Sequence, residues 1–116
     1  MSSLVATVTA VMLLGTVAFS PEAGAASAAE DGKAVAFDRK KGNCMTCHVM
    51  DGATLPGNVG PPLLAMKARF PDKAVLRAQI YDATVINPQS MMPPFGKHRV
   101  LTDKEIDNIV EYLYTL

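Results

Sequence analysis

Apolar and polar positions alternate in distinct ways along this chain. Residues 4–19 are apolar or small throughout, until Ser20-Pro21 interrupts the run. Ala34, Val35 and Phe37, set among Lys33, Asp38, Arg39, Lys40 and Lys41, predict a first helix over 31–41 that Gly42 terminates. Residues 63–70 read as a short helix. Another opens at Pro71 or Asp72 and runs to about Asp82, with Leu76 and Ile80 one turn apart on one face. The strongest signal comes last. Thr102 and Glu105 form a capping box, and Ile106, Ile109, Val110 and Leu113 recur at i, i+3, i+4 and i+7. Asp103 and Glu105 suit the positive end of that helix. Between these elements, 51–62 is dense in Gly and Pro and reads as a long loop, a kind that is usually functional. Residues 84–100 lose the helical period. Asn87-Pro88 starts a turn, and Met91-Met92-Pro93-Pro94-Phe95-Gly96 cannot be regular because proline lacks an N–H and fixes φ. No segment alternates as a strand does, so the expected class is all-α.

Composition narrows the picture. The chain has 116 residues, enough for one domain, and its 11 Lys+Arg balance 11 Asp+Glu. That balance argues against nucleic acid or a strongly anionic membrane surface as partner, since either calls for a basic excess. The N-terminal apolar run covers 16 residues, short of the roughly 20 that span a bilayer as a helix. Ala23-Gly24-Ala25 and Ala26-Ser27-Ala28 follow it, both A-x-A patterns of the kind signal peptidase cuts after. The expected organisation is a signal peptide over 1–28, cleaved after Ala25 or Ala28, and a mature domain over 29–116 without a membrane span. No Lys or Arg precedes the run, which would place a basic segment upstream of the present start. An uncleaved membrane anchor is the alternative. Export leads to an oxidising compartment, the periplasm.

The chemistry concentrates in Asn43-Cys44-Met45-Thr46-Cys47-His48, which holds both cysteines and one of the two histidines. C-x-x-C-H is a pattern of covalent haem attachment: two thiols become thioethers and the histidine ligates iron. In an oxidising compartment the same cysteines could form a disulfide, so the motif needs support downstream. Met45 and Met50 lie too near His48 in sequence to reach the opposite face of a haem, and Met66 falls in a helical pattern. Met91 and Met92 lie in the proline-stiffened loop. Met92, just before Pro93, is the first choice of sixth ligand, with Met91 as the alternative or as packing on the porphyrin edge. His98, between Lys97 and Arg99, is the rival in a bis-histidine site. A thioether raises the reduction potential relative to a second imidazole, and a filled sixth position suits electron transfer. Ligating histidines donate their other N–H to a fixed acceptor, and the turn Gly60-Pro61-Pro62-Leu63 offers proline carbonyls. The run Arg39-Lys40-Lys41 either complements the first helix's dipole or forms a docking patch beside a haem edge.

Together the C-x-x-C-H motif, Gly60-Pro61-Pro62-Leu63, Asn87-Pro88 leading to Met92-Pro93, and the C-terminal helix resemble a class I c-type cytochrome: a small all-α domain wrapped around one covalent haem c. That resemblance implies that the Pro61 carbonyl accepts the His48 proton and that the first and last helices cross. The interval from Phe37 to Cys44 is longer than the family commonly has. Four strings are similar to the SoxX family of monohaem subunits: 37–44, 55–62, 79–84 and 90–98. This narrower resemblance implies a periplasmic heterodimer with a SoxA-type cytochrome subunit. Such a complex, an L-cysteine S-thiosulfotransferase, oxidatively joins thiosulfate to a cysteine on a SoxYZ-type carrier protein and passes electrons to a downstream c-type cytochrome. With Cys44 and Cys47 consumed as thioethers the mature chain has no free thiol, so its implied role is electron transfer and not catalysis. The competing expectations are a free cytochrome shuttle and a haem-free thiol redox or metal protein.

Overall fold

The computed structural model describes residues 21–116, which form four α-helices and two 3-10 turns with no strand among the described residues. Helix α1 spans Pro21–Phe37, α2 Met66–Arg69, α3 Lys73–Tyr81 and α4 Asp103–Leu113. The 3-10 turns are Cys44–Thr46 and Ala83–Val85.

Helix α4 forms as its sequence predicts. The Thr102 hydroxyl accepts from the Glu105 N–H at 3.2 Å, and a Glu105 carboxylate oxygen accepts from the Thr102 N–H at 2.9 Å. Its apolar stripe of Ile106, Ile109, Val110 and Leu113 is buried, each side chain contributing roughly 1.5–3 kcal/mol by leaving water. Helix α1 crosses it, the crossing that the cytochrome resemblance implies. Gly32 lies so near the α4 backbone that a Cβ there would stand 1.9 Å from the Asn108 carbonyl oxygen. One turn on, Phe37 meets Tyr112 edge-on with ring centroids 6.3 Å apart. Helix α3 packs on α4 through Leu76 and Ile80 and is laced to it at the surface by Lys73–Glu111, Arg77–Asp103 and Arg77–Asp107. Exposed pairs of this kind add little stability.

Two helices differ in extent from expectation. Helix α1 is not 31–41: it includes the small residues from Pro21 onward and stops at Phe37. The chain then turns back, with the Gly42 N–H donating to the Val35 carbonyl and the Asn43 N–H to the Asp38 carbonyl. The basic triplet 39–41 therefore stands beyond the helix, and Lys41 pairs with Glu105 on α4. Helix α2 covers half of the expected 63–70. The Leu63 N–H is taken by the Val49 carbonyl, and Ala65 holds a left-handed φ of 51°, so helix can start only after it. Helix α3 starts where expected, with the Asp72 carboxylate accepting from the Ala74 N–H at 2.8 Å. No helix among the described residues is long and apolar enough to cross a membrane. The apolar run 4–19 and most of the expected signal peptide lie outside the described residues.

Candidate haem site

The C-x-x-C-H segment is wound into a single tight turn. Asn43 enters it with a left-handed φ of 47°, and the Thr46, Cys47 and His48 N–H groups donate back to Asn43 and Cys44 carbonyls at 3.0–3.2 Å. The Gly/Pro-rich loop then folds over the motif. Gly57 N–H donates to the Met45 carbonyl, Gly60 N–H to Cys47 and Leu63 N–H to Val49, at 2.8–2.9 Å. This backbone pairing explains a loop of such length without helix: its hydrogen bonds go to the motif.

The loop fixes the histidine. His48 Nδ1 lies 2.6 Å from the Pro61 carbonyl oxygen. A carbonyl can only accept, so Nδ1 carries the proton and Nε2 keeps its lone pair for a metal. Gly60 lies against the ring, where an added Cβ would come within 2.3 Å of His48 Cε1. Arg69 braces the same loop, donating to the Pro62 carbonyl at 2.7 Å.

Cys44, Cys47 and His48 open onto a cavity of about 760 Å³, and Met91 and Met92 line the same cavity from the 84–100 loop. The volume falls within the roughly 300–1,000 Å³ of cofactor sites. Its apolar floor includes Leu63, Leu76, Ile80, Phe95 and Ile109, and every charged side chain on its wall is a cation: Arg39, Lys40, Lys41 and Arg69. A flat apolar macrocycle bearing two carboxylates fits such a wall. The two methionines are distinguished by burial. Met91 is 81% exposed, whereas Met92 is half-buried and packs on the core, its N–H held by Ser90 Oγ at 3.2 Å. Met66 also reaches the cavity but is only 2% exposed, with its sulfur 3.5 Å from Arg69 Nη1. Met45, Met50 and His98 are not on the cavity wall.

The haem-free reading fits less well. Burial pushes the Cys44 thiol up to about 11, opposite to the lowered value of a reactive C-x-x-C thiol. Among the described residues no group of three or more His, Cys, Asp or Glu could hold a bare metal ion. Sequence reasoning missed Gly32 and the bracing role of Arg69. A small residue in a helix and an arginine after a loop carry no local mark of what they meet in space.

A helical domain with a C-x-x-C-H turn, a carbonyl-fixed histidine and a methionine loop on one cavity defines a c-type cytochrome. The chain belongs to the family described as cytochrome C oxidase, cbb3-type, subunit III, whose model matches residues 26–113. It is an electron-transfer cytochrome domain with a haem c cofactor. Its fold is similar to a chain of the crystal structure of SoxXA from P. pantotrophus, with a TM-score of 0.66, 24% identity, and coverage of 74% of this chain and 79% of that one. It is also 40% identical over 76 residues to an uncharacterized lipoprotein of Aquifex aeolicus (strain VF5). That match takes in 65% of this chain and 37% of the relative's length.

Proposed function

We propose that this protein is the periplasmic electron-transfer subunit of a SoxAX-type complex, carrying one covalent haem c. The observation that carries the reading is the convergence of His48 and Met92 on one apolar cavity. Cys44 and Cys47 would hold the macrocycle as thioethers, and His48 Nε2 and the Met92 thioether would be the ligands of its iron. The Pro61 carbonyl keeps the proton on Nδ1, fixing the ring's orientation and raising its basicity. When bound, haem c supplies a one-electron iron couple, which thioether ligation raises in potential. The apolar floor would shield a bound macrocycle from water, and the charged side chains of the same wall are cations. No side chain here is placed to carry a sulfur intermediate once both cysteines are consumed, so the thiosulfate-to-cysteine step on a SoxYZ-type carrier falls to a SoxA-type partner. This chain accepts the electrons released and passes them to a downstream c-type cytochrome.

The SoxX-like strings in the sequence and the shared fold with a SoxXA chain support this assignment. The exposure pattern of α1 supports the mature domain over 29–116. Residues 22–27 are exposed, and packing on the core begins at Ala29. N-terminal sequencing of the exported protein should give Ala29 or, after cleavage at Ala25, Ala26; an intact residue 1 would make the segment an anchor. The functional test is co-purification from periplasm, followed by addition of thiosulfate and carrier protein. A stable complex with a second cytochrome and thiosulfate-dependent reduction of this haem are expected. A lone monomer that thiosulfate leaves oxidised would make it a free shuttle.

A further inference from the structure

The loop that carries Met92 stands with one foot on the 3-10 turn Ala83–Val85 and the other on the C-terminal end of α3. Its first foot is the Asn87 N–H, which donates to the Ala83 carbonyl at 3.1 Å. Its second is Gly96-Lys97, whose two N–H groups share the Tyr81 carbonyl at 3.1 and 3.3 Å. The Tyr81 ring lies on Gly96 so closely that a Cβ there would be 2.0 Å from Tyr81 Cδ2. Between the feet sits Asp82, 7% exposed although charged. Its Oδ1 accepts from the Thr84 N–H at 3.0 Å and from the Thr84 hydroxyl, while Oδ2 pairs with Lys97 Nζ at 2.9 Å. One carboxylate thus joins the helix end, the 3-10 turn and the segment beyond Met92. The chain between Met92 and Gly96 is Pro93-Pro94-Phe95. Two prolines fix φ, and Phe95 is buried with its carbonyl accepting from the Val100 and Leu101 N–H groups. A segment this short and stiff leaves Met92 little freedom relative to residues 96 and 97.

We propose that Asp82, through Lys97, and the Tyr81–Gly96 contact form a latch that sets where the Met92 thioether stands in the haem cavity, making Asp82 a positioning residue for iron ligation. The latch rests on the reading of Met92 as ligand. Its strength governs how firmly the sulfur meets the iron, and through that the reduction potential. Asp82 is needed as a carboxylate because it must accept from three donors, one of them an ammonium, and an amide oxygen offers fewer acceptor sites.

The test compares holoproteins carrying D82N, K97Q, K97R, G96A, M92A and, as a control for stability alone, T102A. The readouts are the ferric thioether-to-iron charge-transfer band, the reduction potential and thermal unfolding. M92A should abolish the band. D82N, K97Q and G96A should weaken it and lower the potential with haem still covalently attached. K97R should keep both near the parent, and T102A should unfold earlier with band and potential unmoved. Should D82N fail to fold, K97Q at the exposed end of the pair decides. A band abolished by M92A but untouched by D82N or K97Q would overturn the latch and leave the ligand intact. A band that survives M92A would overturn the ligand and the latch with it.

Discussion

Asn43 decides how the chain enters the haem motif. Its φ of 47° lies in the left-handed region, where a side chain costs roughly 1–2 kcal/mol and asparagine is among the few residues that visit it. Its Oδ1 is buried without a partner, so the side chain is kept for its backbone and not for a hydrogen bond. Asn43→Gly should therefore be close to neutral in denaturant unfolding. Asn43→Val should cost about 1–2 kcal/mol or more, because branching at Cβ worsens the same clash. The C-x-x-C-H spacing and the Gly60-Pro61 acceptor were legible because each depends on consecutive residues. Asn43's backbone was not, since nothing in the letters distinguishes it from the other asparagines. Met91 and Met92 were both legible as candidates, and the choice of Met92 gains support from burial, which a loop sequence does not encode.

The capping box and stripe of α4 were readable in full, because N-cap chemistry and helical period are local. The ends of α1 and α2 were not. Gly42 looked like a helix terminator, but the helix stops earlier, at Phe37, where the returning chain takes up the Val35 and Asp38 carbonyls. Gly32 was silent for the same reason: its importance is the α4 backbone it touches. Gly32→Ala should force the helices apart and cost about 1–3 kcal/mol or more by overpacking, read as a lowered Tm. A pH dependence also belongs to α4. Lys41 and the Thr102 N–H hold the Glu105 carboxyl below its ordinary value of 4.5. A lowered value in the fold means that the stability from this group is present in full above 4.5 and is lost as pH falls through the lowered value. Glu105→Gln does not titrate, so its stability should fall less steeply than the parent's in denaturant titrations across that acid window.

At the scale of the molecule, the first and last described helices close on each other, and the loops between them form the haem cavity together with the inner faces of α3 and α4. This division explains why the fold class could be read from periodicity while the cavity required the structure. Residues of 44–48, 60–63 and 91–92 are separated in sequence and share one cavity only in the fold. Neutral overall charge leaves partner choice to local features, and the cations on the cavity wall are such a feature. The central claim is that a single haem c is held by Cys44 and Cys47 and ligated by His48 and Met92. The most direct measurement is the spectrum and reduction potential of M92A beside M91A in the purified haem protein. M92A should lose the thioether band and fall in potential while M91A matches the parent. M91A altering both while M92A leaves them unchanged would contradict it.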